Sequence, residues 1–188
     1  MLLITTSHRP ARRTRTLCND LTRVIPDALR INRGKMSIHE LALKTIESDA
    51  KIAIIVSTLR GNPSKISFLS VTPKGFNFTP PTLQIGKVVL RREIIKRRAP
   101  DRPKLIITHD SQTITGVEKL AGHLANHLNS PIYPGKPGPK LAARANIALY
   151  IDESHSYPAV LKFIEIPTMQ ELGPTVYIRK INDVKEED

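Results

Sequence analysis

The chain has 188 residues, 40% of them apolar, and carries a net charge of +12. That length suits one domain or two small ones, and the apolar content is enough for a real core. It contains no run of eighteen apolar residues that could cross a membrane, and its amino terminus has a short apolar stretch with positive charges after it, the reverse of a signal peptide, so an intracellular setting is expected.

The segment 2–6 is short, apolar and rich in β-branched residues, which predicts a buried strand. Pro10 suits the first turn of a helix. Leu17, Cys18, Leu21, Val24 and Ile25 then recur at spacings of three and four, an amphipathic helix that Pro26 ends. Residues 28–31 read as a short strand. Ser37 and Glu40 have capping-box spacing, with Met36 and Leu41 placed as a staple, so a second helix is expected to about residue 48. Strands are expected at 51–57 and 65–72, joined by the turn Arg60-Gly61-Asn62-Pro63, and again at 83–90. Further on, a strand at 104–108 and a helix near 113–129 are followed by strands near 145–152, 158–166 and 174–182. The proline-rich stretch 131–139 is expected to be a loop, with no second helix in this half.

These elements occur twice. At an offset of 103, residues 3–6 lie on 106–109, Leu17, Leu21 and Ile25 meet Leu120, Leu124 and Leu128, and Arg33 meets Lys136. At 95, residues 51–56 lie on 146–151; at 93, residues 81–88 lie on 174–181. Three matches in chain order indicate an internal duplication. The expected fold is α/β, two tandem halves at 1–95 and 96–188, around one or two sheets.

The charge is not duplicated. Residues 1–35 hold eight Arg or Lys against Asp20 and Asp27, and residues 86–104 hold eight against Glu93 and Asp101; the rest of the chain is balanced. Most of the excess is Arg, whose planar fork matches phosphate oxygens, so two local clusters read as a nucleic-acid footprint. Arg9, Arg12, Arg13 and Arg15 crowd the start of the first helix, where cations are unfavourable by a few tenths of a kcal/mol unless an anion completes the site. Their counterparts are Gln112, Thr115, Gly116 and Glu118, so the charge is no requirement of the fold. The expected RNA contacts are Arg9, Arg12, Arg13 and Arg15, flanked by Arg33, Lys35 and Arg60, with a second contact at Arg91, Arg92, Arg97 and Arg98 on a hinge between the halves. Four Phe, four Tyr and no Trp leave few stacking platforms for single strands.

No nucleotide-loop or zinc-protease motif is present. His123 and His127 lie four apart on a predicted helix but have no third ligand at metal-site spacing. Asp152, Glu153 and His155 read as a polar turn, and Cys18 as a small buried residue. Neither a catalytic centre nor a cofactor or metal is expected.

The segments Ile4-Thr5-Thr6-Ser7 before an Arg-rich helix, Ile31-Asn32-Arg33-Gly34, Ile54-Ile55-Val56 leading to Arg60-Gly61-Asn62-Pro63, and Glu171-Leu172-Gly173-Pro174 resemble the Brix domain over nearly the whole chain. The likeness is closest to the Brix proteins of the small-subunit processome, in a short archaeal form. The resemblance implies ribosome biogenesis, binding to ribosomal RNA precursors without enzymatic activity, guide RNAs or assembly proteins as further partners, and halves similar to the anticodon-binding domain of class IIa aminoacyl-tRNA synthetases. It places the protein in the cytoplasm of an archaeon or the nucleolus of a eukaryote. An RNA-processing nuclease or modifying enzyme and a structural ribosomal protein are the alternatives.

Overall fold

The structure is a computed structural model that describes residues 1–96, 99–110 and 115–183. The first half contributes strands β1 (Leu2–Thr6), β2 (Ala28–Arg30), β3 (Ile52–Leu59), β4 (Asn62–Thr72) and β5 (Gly75–Val89). The second contributes β6 (Leu105–His109), β7 (Ile132–Pro134), β8 (Ile147–Ser154), β9 (Tyr157–Glu165) and β10 (Gln170–Asn182). All ten form one mixed sheet in the order β2-β1-β3-β4-β5-β10-β9-β8-β6-β7. The helices are α1 (Arg12–Val24), α2 (Ile38–Glu47), the single-turn α3 (Arg91–Ile94) and α4 (Thr115–Leu128).

The strand order reads the same from either edge. β1 pairs parallel with β2 and β3, as β6 does with β7 and β8. The remaining pairs are antiparallel, including β5 with β10 at the centre. A mirrored order around an antiparallel pair corresponds to a two-fold axis normal to the sheet. The sequence offsets agree with it: β1 and β6 begin 103 residues apart, and β3 and β8 begin 95 apart. The described residues are therefore built on a single sheet, of the two arrangements the sequence left open.

Packing follows the pleat. In β1, Leu2 and Ile4 enter the core under α1, whereas Leu3 enters a smaller core on the opposite face with Leu41 of α2. In β6, Leu105 and Ile107 join the first core, and Ile106 faces the other way. The first core is continuous across both halves and holds Leu17, Leu21 and Ile25 beside Leu120, Leu124 and Leu128. α1 and α4 thus share one face. α2 and a short 3-10 helix at Pro139–Ala143 cover only the outer parts of the other.

Ser37 and Glu40 form the expected capping box: the Ser37 backbone N–H donates to Glu40 Oε2 at 2.7 Å and the Glu40 N–H to Ser37 Oγ at 3.2 Å. Several details differ from expectation. β5 begins at Gly75, eight residues ahead of the strand expected at 83–90. Pro10 precedes the helix, because Ala11 is the N-cap and α1 starts at Arg12. The β3–β4 turn is only Arg60 and Gly61, both with positive φ (49° and 80°), which suits a two-residue hairpin loop and leaves Asn62 and Pro63 in β4. The stretch 131–139 is not all loop. Ile132–Pro134 forms β7, and the 3-10 helix stands after it. β7 is an edge strand with one neighbour, so its proline removes no needed ladder bond.

Candidate nucleic-acid interface

α1 has no carboxylate in its first turn and no side-chain N-cap. Its buried face is Thr14, Leu17, Cys18, Asp20, Leu21 and Val24. The helical period therefore places Arg12, Thr16, Asn19 and Arg23 on the outer face, at steps of three and four. Opposite that face stands α3, which follows β5 directly. Between them runs an open groove of about 910 Å³, lined by Thr16, Asn19 and Arg23 on one wall and Arg92 and Lys96 on the other. The two Arg-rich segments of the sequence form its two sides.

Two contacts hold the walls together. Arg13 donates from Nη1 to Glu93 Oε1 at 2.7 Å, and from Nη2 to Glu93 Oε2 at 2.9 Å and the Val88 carbonyl at 2.8 Å. This pair pulls the Glu93 carboxyl below its ordinary range. Asp20, buried in the groove floor, accepts the Arg91 backbone N–H at 3.0 Å, and the Arg91 side chain reaches the Leu172 carbonyl of β10 at 2.9 Å. Burial raises the Asp20 pKa, while the nearby Arg91, Arg23 and Arg92 oppose that shift, which places Arg23 and Arg92 about the same carboxylate. α3 also presses on Gly173, where a Cβ would come within 2.7 Å of Ile94 Cδ1 and 3.3 Å of the Arg91 Cα.

The expected contact residues divide accordingly. Arg12, Arg15 and Arg92 are exposed on α1 and α3, and Arg9 is exposed ahead of α1 with φ 49°. Lys35 is exposed after β2, and Arg60 projects at the hairpin tip. Arg13 and Arg91 are engaged inside the protein, and Arg33 is buried, its Nε donating to the Met36 carbonyl at 2.6 Å. Arg97 and Arg98 lie outside the described residues. Arg23 and Lys96 were not singled out as contacts. Arg23's separation of eleven from Arg12, three helical turns, was the available signal.

Other candidate groups have internal roles. His127 stacks on Phe68 with centroids 4.4 Å apart, and its Nε2–H donates to the Pro80 carbonyl at 2.8 Å. Burial lowers its pKa. The Cys18 thiol is buried and pushed up to about 12, so it is inert as a nucleophile. Among the described residues no three His, Cys, Asp or Glu side chains gather in a metal-holding group. No described helix is long and apolar enough to cross a membrane.

The chain is 31% identical over 183 residues to a probable Brix domain-containing ribosomal biogenesis protein of Methanopyrus kandleri, covering 94% of this chain and 92% of that protein. This chain belongs to the Brix domain-containing ribosomal biogenesis proteins. A second Brix relative, from Pyrococcus horikoshii, is 32% identical over 190 residues, 95% of this chain and 83% of its own length. Ribosome production factor 1 of Rattus norvegicus is 31% identical over 183 residues, covering 92% of this chain but 48% of the rat protein. No protein-family model matches the chain. A solved structure of a probable ribosomal biogenesis protein from Aeropyrum pernix K1 shares the fold, with a TM-score of 0.75 at 23% identity over 94% of each chain. An archaeal Imp4-like protein does so with a TM-score of 0.66 at 21% identity, over 97% of this chain and 99% of that one.

Proposed function

We propose that this Brix chain is a non-enzymatic ribosome biogenesis factor that binds precursor ribosomal RNA in the groove between α1 and α3. One observation carries the reading: Arg23 of the first basic segment and Arg92 and Lys96 of the second, about 70 residues apart in sequence, face each other across that groove. Arg12 extends the same helix face, and Arg9 and Arg15 widen the basic surface beyond it. The groove's exposed cations outnumber its carboxylates, the buried Asp20 of the floor and the exposed Asp101, and with the small polar side chains beside them they suit a sugar–phosphate backbone. The family names support ribosome assembly as the setting, and assembly proteins as further partners. The duplicated β-α-β opening of each half supports reading 1–95 and 96–188 as two units of one domain, each like the anticodon-binding domain of class IIa synthetases.

The test is the salt dependence of RNA binding, followed by fluorescence anisotropy on a labelled precursor fragment. Each phosphate neutralised contributes about −0.7 (single strand) to −0.9 (duplex) to the slope of log affinity against log salt. Changing Arg12, Arg23, Arg92 and Lys96 to Gln together should flatten that slope by about three units in a variant that still folds cooperatively. An unchanged slope in the folded variant rules the groove out. Crosslinking in cells should recover precursor ribosomal RNA; recovery of messenger RNAs alone would refute the assignment.

A further inference from the structure

On the opposite face of the sheet from α1, β1 lies between β2 and β3 and changes the direction of chain winding: α1 follows it on one face and α2 covers the other. In open α/β sheets such a switch point leaves a crevice beyond the carboxyl ends of the strands, where ligands bind. Here the crevice is a cavity of about 280 Å³, lined by Ser7, His8, Arg33, Ser57, Lys65 and Ser67, with no acidic side chain among its lining residues. Arg33 is 5% exposed. Its Nε and His8 Nε2 both donate to the Met36 carbonyl, at 2.6 and 2.9 Å. The two Nη nitrogens of Arg33 have no hydrogen-bond partner among the described residues and are left for the cavity. A buried guanidinium without a counter-charge is costly, and its burial already lowers its pKa.

The second half shows what fills the same place there. Asp110 follows β6 as Ser7 follows β1. The sheet register equates Asp152 with Ser57 and Lys162 with Ser67. Lys136, just past β7, answers to Arg33, just past β2. In the second half these residues neutralise one another: Lys136 Nζ lies 3.5 Å from Asp110 Oδ2, and Lys162 Nζ lies 2.6 Å from Asp152 Oδ2. Tyr150 reports the same crowding, since burial, then Asp152 and Asp110, push its phenol up to about 12. The first half has Ser at all three of the matched positions, keeps the cation, and opens a cavity.

We propose that the pocket formed by Ser7, His8, Arg33, Ser57 and Ser67 is a phosphate-binding site, occupied by one phosphate group where the second half carries its own carboxylates. The guanidinium supplies the charge and a forked pair of donors, and the serine hydroxyls donate to the remaining oxygens. At about 280 Å³ the cavity has room for a phosphate group together with part of whatever that phosphate is esterified to. The phosphate belongs either to an RNA chain or to a free phosphate or phosphoester; the chemistry of the site is common to both.

The experiment is a thermal-unfolding titration with inorganic phosphate at constant ionic strength, with chloride as the balancing salt. The wild-type midpoint should rise with phosphate as ligand linkage requires. Ser7→Asp places the second half's carboxylate beside Arg33; it should fold at least as stably as wild type and bind phosphate at least tenfold more weakly. The double variant Ser57→Asp/Ser67→Lys imports the other ion pair and should do the same. The quadruple groove variant should keep the full phosphate response, so this site stands or falls apart from the groove. An unresponsive wild type up to millimolar phosphate, or a response that survives both folded pocket variants, overturns the proposal. Short RNAs with and without a 5′-phosphate identify the source. Competition by the phosphorylated form alone means a terminal phosphate, equal competition means a backbone phosphate, and none means a free phosphate or phosphoester; each of these presupposes the pocket response.

Discussion

The two halves of this sheet share their strand order and first helix but differ in their electrostatics. α1 and α4 bury the same apolar ridge at an offset of 103, yet Arg12, Arg13 and Arg15 of α1 stand where α4 has Thr115, Gly116 and Glu118. Past β1 and along β3 and β4 the first half has serines around a buried arginine; past β6 and along β8 and β9 the second has two closed ion pairs. What the duplication retains is what the core needs. What it changes is the surface and the pocket walls, where a side chain can vary without loss of packing. The second half is thus an internal control for every assignment made to the first.

The largest expected effect tests the shared part. Leu17 and Leu120 are matched and fully buried in one continuous core. Replacing either with Ala should cost about 2–5 kcal/mol, and each variant should unfold in a single transition because the core does not divide between the halves. Denaturant unfolding checks this; two separated transitions would show that the halves are independent.

A smaller difference should appear at Thr5 and Thr108, matched and both fully buried. Thr5 Oγ1 donates to the Ile31 carbonyl at 3.0 Å, whereas Thr108 Oγ1 is buried without a partner among the described residues. Thr5→Val should lose about 0.5–1.5 kcal/mol, and Thr108→Val should be neutral or stabilising, since it removes an unpaired hydroxyl. Equal losses in the two variants would show that the hydroxyls are equivalent.

The smallest effect is a pH dependence confined to the second half. His127 occupies the place that Val24 has in α1, and burial holds its folded pKa below its unfolded value, near 6.5. Protonation therefore favours the unfolded chain, so the contribution present above about pH 6.5 is lost as the pH falls. The buried carboxyl of Asp20 and the half-buried one of Glu171, both with pKa values raised by desolvation, act in the opposite sense at lower pH. The readout is accordingly the difference between wild type and His127→Gln from pH 7.5 to 5: the wild type should lose stability more steeply. Parallel curves would place the pH response elsewhere.

Local features were legible in the residues. The period of Leu17, Leu21 and Ile25, the capping box at Ser37 and Glu40, and the apolar run of β1 each lie within one element, so spacing alone defines them. The two basic segments were legible too, but not the use of each cation. Arg13 meets Glu93 across 80 residues, and Arg91 bridges Asp20 and Leu172 over 71 and 81. No local pattern separates an arginine with so distant a partner from one facing solvent. The prolines of 131–139 concealed β7 for a related reason: an edge position tolerates them, and only the sheet reveals the edge.

The sequence by itself determined the duplicated elements, the apolar face of each helix and the concentration of arginine in two segments, because these follow from periodicity and composition along the chain. Only the tertiary structure decided that β5 and β10 join the halves into one sheet, that α1 and α3 bring the two basic segments to one groove, and that Arg33 ends in a pocket without a carboxylate among its lining residues. Those outcomes depend on backbone pairing and burial between residues far apart in the chain, where the free energy of a contact is set by the neighbours that folding supplies.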